Sequence, residues 1–97
     1  MKLSQLKEAF KNKEKSLLFF YADYCEACHE TRPIMEQIKD IMSDYNFHNL
    51  DIDDAKNDEV SDAFKIDYMP TLIVINENGY KKYEGQRKIT KYLASLD

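Results

Sequence analysis

The sequence predicts one α/β domain over residues 1–97, a central mixed four-stranded sheet flanked by four helices. Two observations carry this. Stretches with an apolar residue every three or four positions alternate with short runs that are continuously apolar or apolar at every second position, in the order α, β, α, β, α, β, β, α. With 97 residues, 43% of them apolar, and only two glycines and two prolines, the chain is long enough to bury one core and too short for two.

The elements follow in order. Leu3, Leu6 and Phe10 share one helical face, and the lysine-rich "KNKEK" leads from that helix into the apolar strand "SLLFFYA". Ile34, Ile38, Ile41, Met42 and Tyr45 mark the stripe of a long second helix ending near Asn46. "FHNLDID" alternates, with His48, Leu50 and Ile52 on one face, and so reads as a strand. Strand, helix and strand make a right-handed βαβ unit, so these two strands are parallel. "NDEVSDAFK" places Val60, Ala63 and Phe64 at helical spacing behind an Asn57 or Asp58 cap. A hairpin then joins "TLIVI" to the edge strand "YKKYEG", with Asn78-Gly79 as the tight turn and lysines guarding the edge. Ile89, Tyr92, Leu93 and Leu96 make the last helix amphipathic. No repeat, low-complexity tract or linker interrupts the series.

Charge and hydropathy exclude several classes of function. The formal net charge is −4 and basic residues are interleaved with acidic ones, which leaves no basic stripe for nucleic acid. The longest apolar run, Leu17 to Ala22, is too short to span a bilayer, and the N-terminal "MKLSQLKEAF" has helical spacing without a signal-peptide core. A cytoplasmic location is therefore expected. In that reducing compartment a paired Cys-x-x-Cys points to redox catalysis or metal binding before a permanent staple.

Both cysteines fall in "YADYCEACHETRP", where a strand turns into a helix. Unpaired N–H groups and the helix dipole stabilise an anion at that end, so Cys25 is the natural thiolate nucleophile. Cys28, three residues on in the first turn, can reach it and resolve a mixed disulfide. As a staple so short a loop contributes only about 2 kcal/mol by the chain-entropy expression. A metal site would draw on Cys25, Cys28 and His29, and structural zinc needs four ligands, so a dimer would have to complete it. The acidic run "DIDDAKNDE" lacks EF-hand spacing and its central glycine, and reads as a solvated loop leading to a helix cap. His48 reads as a partly buried strand histidine.

The sequence resembles the thioredoxin family over most of its length. The resemblance rests on "LLFFYA" before the motif, Tyr24 directly before Cys25, the Cys25-x-x-Cys28 pair and Pro33 five residues beyond it. Met69-Pro70-Thr71 before the third strand and Gly85, matching the glycine of the family's edge strand, complete it. It implies a thioredoxin-like fold lacking the family's first strand, a cis peptide at Pro70, and a bend at Pro33, which has no N–H to donate. It also implies substrate binding at Tyr24, Met69, Pro70 and Thr71, with an extended segment hydrogen-bonded by the Met69 backbone.

Two departures stand out. The family's usual Trp-Cys-Gly-Pro-Cys is replaced by Tyr24, Glu26 and Ala27 in the variable places. Glu26 disfavours a neighbouring thiolate and a protonated His29 favours it, so Glu26, Ala27 and His29 are candidates for tuning the redox poise. The family's buried aspartate aligns with Phe19, which leaves deprotonation of Cys28 to Glu30, to water, or to a slower route.

The expected function is a small cytosolic thiol–disulfide oxidoreductase that reduces protein disulfides, Cys25 attacking and Cys28 resolving. Electrons would come from a reductase-like flavoenzyme or another dithiol, since the chain carries no GxGxxG and is too short for a nucleotide-binding domain. No bound cofactor or metal is required, and a monomer is expected. The alternative is a binding module that uses the cysteine pair to capture metal, or the fold to dock a partner.

Overall fold

The structure, a computed structural model, describes residues 1–96. Its elements are α1 (Leu3–Lys11), β1 (Ser16–Tyr21), α2 (Glu26–Ile41), β2 (Asn46–Asp51), a 3-10 turn (Ala55–Asn57), α3 (Asp58–Ala63), β3 (Thr71–Asn76), β4 (Gly79–Glu84) and α4 (Gln86–Ser95). The sheet order is β2-β1-β3-β4. β1 runs parallel to β2 and antiparallel to β3, and β3 pairs antiparallel with β4. The mixed sheet and the parallel βαβ unit are as expected.

The two central strands, "SLLFFY" and "TLIVIN", are buried on both faces, which explains why they read as continuous apolar runs. Their alternate side chains feed two cores. Leu18, Phe20, Ile73 and Ile75 meet Leu6, Leu50, Val60 and Phe64 on one face of the sheet. Leu17, Phe19, Leu72 and Val74 meet Met35, Ile38, Met42 and Ile89 on the other.

Several boundaries differ from the sequence reading, each for a local reason. α2 stops at Ile41 instead of near Asn46. Met42 closes it by donating its N–H to the Ile38 carbonyl, and Tyr45 then donates to Met42 in a separate turn. Ile41 consequently points outward, 48% exposed, and Thr31, Met35 and Ile38 form the buried stripe. In α1 the buried positions are Leu6 and Ala9, while Phe10 lies at the surface edge-on to Tyr80. The hairpin loop is Glu77-Asn78, because Asn76 pairs with Gly79. The Asn76 side chain accepts the Asn78 N–H at 2.9 Å, and of the residues Asn76 to Gly79 only Gly79 takes a positive φ, +124°. Gly85 lies just beyond the edge strand, as the N-cap of α4.

Candidate active site

β1 ends at Tyr21, and three residues carry the chain to Cys25, the N-cap of α2. Cys25 is extended (φ −91°, ψ 109°) and donates its N–H to the Ala22 carbonyl at 3.2 Å. Its sulfur accepts the Cys28 N–H at 3.1 Å, the part a Ser or Asp oxygen plays at most helix starts. A sulfur held there faces an otherwise orphaned donor and the positive end of the helix, which favours its anionic form. Cys25 and Cys28 are joined as a disulfide with Cα atoms 5.2 Å apart. Burial separates them: Cys28 is 0% exposed, and Cys25 is partly open.

The surroundings are built in layers. Tyr24 stands 80% exposed beside Cys25. Glu26 is exposed and Ala27 half-buried. Nε2 of His29 lies 2.7 Å from the Asp23 carbonyl oxygen, so it is this nitrogen that carries a proton and donates, pinning the ring over the loop that leads to Cys25. One turn on, the buried Thr31 donates its hydroxyl to the Ala27 carbonyl. α2 continues through Pro33, whose missing N–H removes the i+4 donor from the His29 carbonyl.

The second wall is the loop before β3. The Met69–Pro70 peptide is cis. Thr71, the next residue, pairs with Phe20 of β1, which sets the loop beside the end of the strand that leads to the cysteines. Pro70 is buried and Met69 half-buried. Thr71 is buried as well, its hydroxyl committed to the Tyr68 carbonyl at 2.6 Å, so the side chain braces the loop from within. The Pro70 carbonyl accepts the Gly85 N–H at 2.8 Å, tying the loop to the start of α4. Tyr68, 62% exposed, was not singled out from the sequence, and its place directly before Met69-Pro70 was the available signal.

Phe19 is 1% exposed, its ring stacked on Tyr21 with centroids 6.2 Å apart. No carboxylate is among the buried residues described, and Glu30 is exposed. His48 sits half-buried in β2, its pKa pushed below the usual value first by burial and then by the nearby terminal amine. The acidic run is a capped turn: Asp51 accepts the Asp53 N–H and Asp54 that of Lys56. Among the described residues no three His, Cys, Asp or Glu side chains converge to hold a metal ion.

A family profile described as Thioredoxin matches residues 2–97. The chain belongs to the thioredoxin family. It is 34% identical over 80 residues to the thioredoxin of Mycoplasma genitalium, an alignment covering 82% of this chain and 76% of that one. It is 32% identical over 73 residues to a chloroplastic thioredoxin-like protein of Arabidopsis thaliana, covering 74% of this chain and 28% of that longer one. In fold it is similar to oxidised mitochondrial thioredoxin 3 of Saccharomyces cerevisiae, with a TM-score of 0.81 at 20% identity, covering 98% and 88% of the two chains. With thioredoxin relatives and a Cys25–Cys28 pair at disulfide distance, the protein is a thiol–disulfide oxidoreductase. Thioredoxins act on protein disulfides and are served by reductase partners. The thioredoxin relatives and the Cys25–Cys28 pair at disulfide distance do not favour the alternative of a binding module for metal capture or partner docking. No helix of the described residues is long and apolar enough to cross a membrane.

Proposed function

We propose that this protein reduces protein disulfides in the cytosol as a single-domain monomer over residues 1–97, with Cys25 as nucleophile and Cys28 as resolving thiol. The Cys25 thiolate attacks one sulfur of a substrate disulfide, forming a mixed disulfide and releasing the other sulfur as a thiolate. Cys28, deprotonated, then attacks Cys25 Sγ, releases the second substrate thiolate and leaves the Cys25–Cys28 disulfide. Two electrons pass to the substrate, whose two thiolates take up protons. A flavoenzyme reductase or another dithiol restores the pair.

The observation that supports this reading most directly is the Cys25 sulfur at the N-cap of α2, accepting the Cys28 N–H, with Cys28 buried behind it. Tyr24, Met69 and Pro70 would offer the apolar surface on which an extended substrate segment docks, with Thr71 bracing the loop. Glu26, Ala27 and His29 would set the potential. The bacterial relative and the absence of a membrane-spanning helix among the described residues suit a cytosolic setting, while chloroplastic relatives also occur.

The test is the reduction potential of the Cys25–Cys28 couple, measured against defined dithiothreitol and glutathione mixtures by counting free thiols. A reversible two-electron couple near or below about −230 mV is expected of a reductase. A value near about −120 mV would make the protein an oxidant and overturn the direction proposed.

A further inference from the structure

We propose that the outer edge of β2 is a docking site for an extended, acidic peptide segment of a partner protein, which adds to the sheet as a fifth strand. Among the described residues β2 is an edge strand, paired with β1 alone. The opposite edge, β4, is guarded by Lys81 and Lys82, whereas β2 ("NFHNLD") carries no lysine, proline or glycine to discourage pairing.

The bonding pattern shows which groups face outward. The Asn46 N–H donates to the Lys15 carbonyl and the Ile52 N–H to the Tyr21 carbonyl, so even-numbered residues bond inward. By the alternation of a parallel ladder, Phe47 and Asn49 turn both their N–H and their C=O to the open side.

Those two residues are also the ones shared by two cavities, one on each face of the strand. A cavity of about 260 Å³ on the α2 side is lined by Phe47 and Asn49 with Arg32, Met35, Glu36 and Lys39 among its walls. One of about 340 Å³ on the other face is lined by Phe47 and Asn49 with Gln5, His48, Lys56 and Asn57. A strand laid along β2 would send alternate side chains to opposite faces, and so into these cavities in turn.

The charges select the occupant. Arg32 stacks on Tyr21 with no carboxylate partner among the described residues, and Lys39 lies over the Phe47 ring, 3.7 Å from the exposed Glu36. In the second cavity Lys56 is paired at 3.5 Å with Asp54, which lies outside the lining, so the unpaired charge that favours an acidic segment is chiefly Arg32. A second copy of this chain is a poorer fit, because its β2 offers one acid and its β4 offers lysines.

The experiment uses a capped, fluorescein-labelled octapeptide of alternating glutamate and valine, with its lysine–valine counterpart as control, on the full chain. Binding is read by anisotropy, and the site by amide hydrogen exchange at Phe47 and Asn49. The glutamate peptide should bind and slow exchange of those two amides. Arg32→Glu with Lys39→Glu should weaken it by about tenfold or more while insulin-disulfide reduction, which reports an intact fold, is unchanged. Equal binding of the lysine peptide, an unaffected double variant, or unprotected Phe47 and Asn49 amides at millimolar peptide would each overturn the proposal. So would a dimer in sedimentation that excludes the peptide, since a second copy would then own the edge.

Discussion

Replacing Phe19 by Asp tests whether the space under the active-site helix is dry. Phe19 is 1% exposed and packs among Leu17, Met35, Ile38 and Leu72. Losing a buried ring of this kind costs about 3 to 5 kcal/mol. A carboxyl group left there without a hydrogen-bond partner adds about 1 to 3 kcal/mol. The cavity beside β2 opens on to Phe19 and includes Arg32 and Lys39, but their charged heads are largely solvated, so pairing with them returns at most about 1 kcal/mol. The net cost, about 3 to 8 kcal/mol, is comparable with the whole stability of a small domain. Urea unfolding followed by circular dichroism should therefore find Phe19→Asp largely unfolded in water or close to it, while Phe19→Leu loses only about 1 to 2 kcal/mol and still reduces insulin disulfides. An Asp variant within about 1 kcal/mol of the parent would show that water already reaches this position, and the account of Phe19 as a dry core residue packed against Met35 and Ile38 would fail.

Other outcomes follow from single residues. Cys28→Ser should accumulate a mixed disulfide with substrate protein on non-reducing gels, and Cys25→Ser should accumulate none; the reverse pattern would exchange the proposed roles. Gly85→Ala should lower stability by about 1 to 3 kcal/mol in chemical unfolding, because φ +90° with ψ 158° is a region nearly confined to glycine although no atom lies near the added methyl. Thr71→Val should cost about 1 to 2 kcal/mol by leaving the Tyr68 carbonyl without its hydroxyl donor. For His48, the folded pKa lies below the unfolded value of 6.5, so the unfolded chain binds the proton first. Stability should fall as pH drops below about 6.5 and level off once the folded form is protonated too, and His48→Asn should remove that component of the pH profile.

Much of the fold was legible because its signals are redundant. Strands buried on both faces appear as "SLLFF" and "TLIVI", and a Cys-x-x-Cys between such a strand and a helical stripe locates the site without any tertiary knowledge. What escaped depended on termini and on geometry. Ile41 fits the stripe of α2 by spacing, yet the helix ends there because Met42 closes the last turn, a choice that competing local hydrogen bonds make. Asn78-Gly79 suggested a primed turn, whereas the Asn76 side chain captured the Asn78 N–H and moved the loop back by one residue. Within the site, Cys25, Cys28, Tyr24, Met69 and Pro70 could be named from the sequence. The brace from Gly85 to Pro70 could not, since it joins residues 15 positions apart through backbone atoms that no side-chain pattern records.

The unequal burial of the two sulfurs has a chemical corollary. A peroxide or an alkylating reagent arriving from solvent can approach Cys25, while Cys28 has no exposed surface to offer. Injury from outside should then fall on one atom of the reduced pair: a single alkyl adduct at Cys25 silences the protein, whereas a sulfenic acid formed there lies within reach of Cys28 and closes, with loss of water, to the Cys25–Cys28 disulfide that a dithiol donor can reduce again.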